Sequence, residues 1–154
     1  AVTVHGLGSR HIDNHIEIDH KVANCNSRLV VNSACAGSSR SITTGLLKVA
    51  EGANLTDAGQ VFRNLLLSDK ARADSIPELE VLADEVKAAH GDESSTVKPE
   101  QVHYLMSRGH SPQQAETLIV EGFLIDAFSN LRDSDLKDVL ATRMTVHLEC
   151  ELKR

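Results

Sequence analysis

A mainly β body followed by an α-helical C-terminal region is the fold class that these 154 residues predict. Three observations carry the prediction. Up to about Ala89, short apolar or alternating runs recur between Gly, Asn, Asp and Ser breaks, at a spacing of roughly ten to twelve residues, which is all-β grammar. After Gly91 the apolar period changes to three and four, which is helical. Aromatic residues make up only 3% of the chain, so Leu, Ile, Val and Ala must build the core. Strand periodicity alone does not separate a β-sandwich from a β-helix. Scarce aromatics and recurrent aliphatic runs ended by Gly or Asn turns favour stacked rungs, the end of a parallel β-helix, with a β-sandwich as the alternative.

In order along the chain, the expected strands are residues 2–7, 11–19, 28–33, 41–49, 54–58, 61–67 and 78–83. Segment 92–96 is polar and reads as a loop. Pro99 suits the first turn of a helix, where its missing N–H costs nothing, so a helix is expected over Pro99–Ser107 with Val102, Leu105 and Met106 on one face. Ser111-Pro112-Gln113-Gln114 starts a second: Ser as N-cap, Pro at N1 and Gln able to bond back. A third starts near Asp133-Ser134, with a stripe of Leu136, Val139, Leu140, Met144, Leu148 and Leu152, and Arg143 and His147 at its edge. The division is therefore expected near Gly91, giving residues 1–90 and 91–154. Ala1 runs at once into Val2-Thr3-Val4, which reads as a start inside a strand, so a piece of a longer protein is expected.

Composition narrows the functions. Sixteen basic against 22 acidic residues give a net charge of -6, which argues against a nucleic-acid partner. No apolar run is long enough to span a bilayer and no signal-peptide pattern opens the chain, so no membrane partner is expected. Cys25, Cys35 and Cys150 are odd in number and far apart, which fits a reducing compartment such as the cytoplasm.

The residues richest in chemistry lie early. In residues 11–20, strand alternation puts His11, Asp13, His15, Glu17 and Asp19 on one face, with Ile12, Asn14, Ile16, Ile18 and His20 on the other. Imidazoles and carboxylates two residues apart suit iron or zinc. A metal-dependent β-fold enzyme using His11, His15 and Glu17 is one reading; a solvated or laterally paired strand face is another. His20 and Cys25 are weaker metal candidates, since a buried free Cys behaves as a small hydrophobe. No phosphate-binding Gly loop and no nucleophile elbow is present, and no catalytic residue is assigned. A homodimeric structural adaptor, pairing open β edges, is a further reading.

A set of separated motifs resembles the SufB/SufD family, the scaffold proteins of the Suf iron–sulfur cluster assembly machinery. They are Asp13-Asn14-His15, Asp19-His20, Cys25-Asn26-Ser27-Arg28, Asn64-Leu65-Leu66-Leu67-Ser68-Asp69, the run from Pro77 to Gly91, and Tyr104-Leu105-Met106-Ser107-Arg108-Gly109. The resemblance implies a right-handed parallel β-helix and a non-catalytic scaffold. It implies that His90, at a His-Gly pair, lies where two scaffold subunits meet and is a candidate ligand for a transient Fe–S cluster or iron. It also implies that the helices dock a SufC-type ATPase through Tyr104, Leu105, Arg108, Leu118, Ile119 and Phe123, and that the β end pairs with a SufB-type subunit or with a second copy. The compartment would be the cytoplasm, or the stroma of a plastid. Arg63 fills the place of the SufB-type sulfur-accepting Cys and Gly91 that of its Glu, which makes the chain SufD-like. Ala88 replaces a Cys frequent in SufD-type sequences. Gly91-Asp92-Glu93-Ser94-Ser95 replaces the usual Gly-Ala-Thr-Val-Gly run.

Overall fold

The computed structural model describes residues 1–152, and side chains as far as residue 150. Its elements in chain order are β1 (Val2–Gly6), β2 (His11–His20), β3 (Asn26–Cys35), β4 (Arg40–Val49), β5 (Thr56–Leu66), β6 (Arg72–Val81), β7 (Val86–Thr96), α1 (Pro99–Ser107), α2 (Pro112–Asp126) and α3 (Ser134–Leu152). Odd-numbered strands form one sheet, ordered β1-β3-β5-β7, and even-numbered strands form the other, ordered β2-β4-β6. Every pairing is parallel. The chain thus winds from sheet to sheet as a solenoid-like β-helix of about three turns. Parallel pairing rules out the antiparallel sandwich.

Turns stack as the strands do. Gly8 and Gly37 both take positive φ, and Ser38 N–H donates to the Gly8 carbonyl at 2.7 Å. A Cβ on Gly37 would lie 2.8 Å from that carbonyl oxygen, so this corner admits only glycine. At the opposite corner Asn24 and Leu55 hold positive φ in successive turns.

Alternation fills the interior. Leu29, Val31 and Phe62 form its apolar centre, with Val2, Ile16 and Ile18 against them. Gly45 is there because a Cβ would overlap the Phe62 ring and sit 2.8 Å from the Gln60 amide oxygen. A polar layer lies beside this centre: the Asn64 amide donates to Ser75 Oγ at 2.9 Å and to Ser94 Oγ at 3.2 Å, tying β5 to β6 and β7.

Three strand expectations change. Residues 54–58 and 61–67 are one strand, β5. Gly59 between them is no break: it makes room for Arg28, whose Nη1 would meet an added Cβ at 3.1 Å. The strand expected from residue 78 starts at Arg72. The largest difference is β7, which continues through Gly91 to Thr96, so the expected loop 92–96 is its second half. These two strands end the stack, with no further rung to bury them. β7 therefore lacks the apolar alternation that marks a covered strand, while β6 alternates from Glu78 to Val81, and Pro77 suits such an edge.

The helices lie on the outer face of the four-stranded sheet. Ala34 and Leu65 meet Val120, Leu124 and Leu148, with Leu67, Val97, Ile119, Phe123 and Met144 packed around them. Two polar ties reinforce the contact: Asn32 Nδ2 donates to the Phe123 carbonyl, and Arg63 pairs with Asp126, both at 2.7 Å. The α2 start is the expected capping box, with Ser111 Oγ accepting from Gln114 N–H at 3.2 Å and Ser111 N–H donating to Gln114 Oε1 at 2.8 Å. The α3 stripe is narrower than expected. Met144 and Leu148 pack inward, whereas Leu136 and Val139 are exposed, because a straight helix cannot aim so wide a stripe at one surface. The Leu152 side chain lies outside the described residues.

Candidate functional site

The last rung of the solenoid is open. On its inner side β6 presents Ala73, Ser75, Pro77, Leu79 and Val81, the register partners of the buried Ser41, Thr43, Leu47 and Val49 and of Gly45. β7 presents Ala88, His90, Asp92 and Ser94, partners of Ala58, Gln60, Phe62 and Asn64. Residues of the rung below are almost fully buried. Those of the last rung are not, since nothing stacks on them: Leu79 is 38% exposed, and Leu82 just beyond β6 is 62% exposed. His90 stands over Gln60, whose amide donates to the Glu78 carbonyl at 2.9 Å. The imidazole thus lies on the lumen side of an exposed rung, with Asp92 two residues along on the same side. It sits in mid-strand, not at a turn, and Gly91 keeps an ordinary φ. Sequence reasoning missed Asp92 as a neighbour of His90 on one strand side, and Leu79 and Leu82 as exposed apolar residues at this end. Alternation would have found Asp92 had β7 been recognised.

The imidazole–carboxylate row of β2 points outward as alternation predicts, and Ile12, Ile16 and Ile18 point inward. The row is laterally paired. His15 Nε2 lies 3.3 Å from Asp13, and Glu17 accepts from Lys48 of β4 at 2.9 Å. Hydrogen bonding to Glu17, then its charge, raises the Lys48 pKa. His11 is exposed at the start of the strand, beside Arg40 and so next to a positive charge. His20 turns inward, is buried, and lies 2.8 Å from Ser27 Oγ. Cys25 sits half-buried in the turn before β3. Cys35 is fully buried, and that burial pushes its thiol pKa up. Among the described residues, no three His, Cys, Asp or Glu side chains converge to hold a metal ion.

The helical candidates divide. Ile119 and Phe123 pack on the protein's own core. Tyr104 and Leu118 are exposed, and the Arg108 guanidinium lies 5.1 Å from the Tyr104 ring centroid, a cation–π contact on the surface. Leu105 is half-buried in α1. Of the helical candidates, Tyr104, Arg108 and Leu118 are thus exposed, whereas Ile119 and Phe123 are taken up by the protein's own core. No helix here is long and apolar enough to cross a membrane, among the described residues.

Fold and site define the class first: a parallel β-helix whose last rung is open and whose four-stranded sheet carries a helical layer. Residues 2–123 match the family model described as "SUF system FeS cluster assembly, SufBD core domain". The chain is 34% identical over 132 residues to the iron-sulfur cluster assembly protein SufD of Escherichia coli, covering 86% of this chain and 31% of that protein. To SufD of Bacillus subtilis it is 39% identical over 105 residues, 68% of this chain and 24% of that one. A chloroplastic SufBD family protein of Arabidopsis thaliana, ABCI8, is 32% identical over 124 residues, 79% of this chain and 22% of that one. This chain belongs to the SufBD core family of the Suf iron–sulfur cluster assembly system. It spans about a third or less of the length of these relatives.

Proposed function

We propose that this chain is a SufD-like part of a scaffold that holds a nascent iron–sulfur cluster between two chains. The carrying observation is the open last rung, with His90 and Asp92 on its lumen side and, among the described residues, no third His, Cys, Asp or Glu converging with them. A single imidazole cannot hold a cluster, which takes several ligands. The remaining ligands must come from a chain that stacks on this rung, and the free edges of β6 and β7 are ready to accept its strands. That chain is of the SufB type, or is a second copy of this one. The cluster is cargo here, and the scaffold turns over no substrate.

A SufC-type ATPase docks on the helical layer through Tyr104, Arg108 and Leu118. Its movements reach the β body through α2, tied to the sheet by Asn32 and by the Arg63–Asp126 pair. The compartment is the cytoplasm, or a plastid stroma. Metal-dependent catalysis by His11, His15 and Glu17 is the weaker reading, because Asp13 and Lys48 already engage two of those side chains.

Co-purification with a SufC-type ATPase and a SufB-type chain tests this. Tyr104→Ala with Leu118→Asp is expected to lose the ATPase and keep the SufB-type chain. His90→Ala is expected to keep both partners and lose cluster retention on anaerobic reconstitution. A complex that loads cluster equally well without His90 sinks the ligand assignment.

A further inference from the structure

On the flank away from the open rung, two histidines 142 positions apart in sequence meet. His5 Nδ1 of β1 lies 3.2 Å from His147 Nε2 of α3. Their rings stand 5.3 Å apart between centroids and 81° to one another. Both are on the surface. His5 sits between two clefts, of about 330 Å³ and about 220 Å³, that separate the outer face of β1 from α2 and α3.

We infer that His5 and His147 form a two-imidazole site for a borderline divalent transition metal, of the zinc, nickel or copper kind. Two imidazole nitrogens at the usual zinc distance of about 2.0–2.1 Å, at a tetrahedral angle, stand roughly 3.3 Å apart. The nitrogens here are already at that separation, so both elements can keep their backbones in place. In the metal-free pair one ring donates its N–H to the other. Binding needs that proton on the ring's other nitrogen, a change of tautomer with no net proton released. Two waters leave the hydrated cation as the two nitrogens enter, and water fills the remaining positions through the open clefts. Imidazole favours copper, nickel and zinc over magnesium or calcium.

The placement gives the metal a consequence. His5 is on the first strand and His147 near the end of the last helix, so a bound ion cross-links the β body to α3. Among the described residues α3 is otherwise held by Leu148 and Met144 and by the hydrogen bond that Thr145 donates to Glu121 of α2. Arg143 lines the same cleft and works against a cation there. This site is independent of the cluster-scaffold reading.

The test is the thermal melt of the chain with zinc chloride, nickel chloride or magnesium chloride added at neutral pH, alongside metal content by equilibrium dialysis. Zinc or nickel is expected to raise the melting temperature by about 5 °C at saturation, and magnesium to leave it unchanged. His5→Ala and His147→Ala, each compared with its own metal-free melt, are each expected to lose the rise and one bound equivalent. Arg143→Ala is expected to bind the metal more tightly. His11→Ala with His15→Ala serves as the control and is expected to keep the rise. No rise in the native chain, or a rise that survives both His5→Ala and His147→Ala, would overturn the site.

Discussion

The two sheets of this β-helix are each parallel within themselves and share one interior, yet their outer faces differ. The outer face of the four-stranded sheet carries Ala34 and Leu65 under α2, with Asn32 and Arg63 tied to that helix. The outer face of the three-stranded sheet is bare of helix. It carries the Arg40–Asp74 pair at 2.7 Å, the Lys48–Glu17 pair at 2.9 Å and the β2 row of His and carboxylates. The rungs dictate only that residues alternate in and out. Charged residues gather outward where no helix lies over them, although Ile42, Leu46 and Ile76 face out there too. On the covered face, polar groups must find fixed partners. On the bare face water satisfies them, and ion pairs are worth little.

That contrast can be broken at graded cost. Leu124 is fully buried between α2 and the covered sheet. Leu124→Ala is expected to cost about 2–5 kcal/mol in urea denaturation, through lost burial and the cavity left behind. Asn32→Ala removes the amide that satisfies the Phe123 carbonyl, and is expected to cost about 1–3 kcal/mol. On the bare face Arg40→Ala, which breaks an equally short ion pair, should stay within about 1 kcal/mol, because its partners remain in water. If Arg40→Ala cost as much as Asn32→Ala, the bare face would have to be covered in solution. The smallest effect is at Lys48. Hydrogen bonding to Glu17 raises its pKa in the folded chain, so its contribution is fully present below the unfolded lysine value. It is lost as pH rises through the folded value. The melting-temperature gap between the native chain and Lys48→Met is therefore expected to be small at neutral pH and to close in strong alkali.

The same contrast explains what was legible in the sequence. Strand β2 alternates cleanly, because it buries one side and wets the other, and its expected range is close to that observed; β4 is bounded nearly as expected although inward Ser41 and Thr43 and outward Ile42 and Leu46 break its alternation. The capping box at Ser111 is a purely local signal, and it was read correctly. β7 was not legible. Residues Ala88 to Ser95 hold no large apolar side chain, since the rung that would demand one is missing above them. The half-apolar face of α2 shows that an amphipathic stripe does not say what it faces. Ile119 and Phe123 serve the covered sheet while Leu118 remains free. The meeting of His5 with His147 depends on how the last helix returns over the first strand, and no local pattern records that.

The open last rung is the region to which neither face offers a counterpart, and it is there that a second chain is proposed to pair. The direct test is light scattering of the chain mixed with a SufB-type partner, comparing the native chain, Leu79→Asp with Leu82→Asp, and Arg40→Ala. The account predicts a one-to-one complex for the native chain and for Arg40→Ala, and separate species for the Leu79→Asp, Leu82→Asp variant. A complex that forms equally well with both charges at the open rung would contradict it.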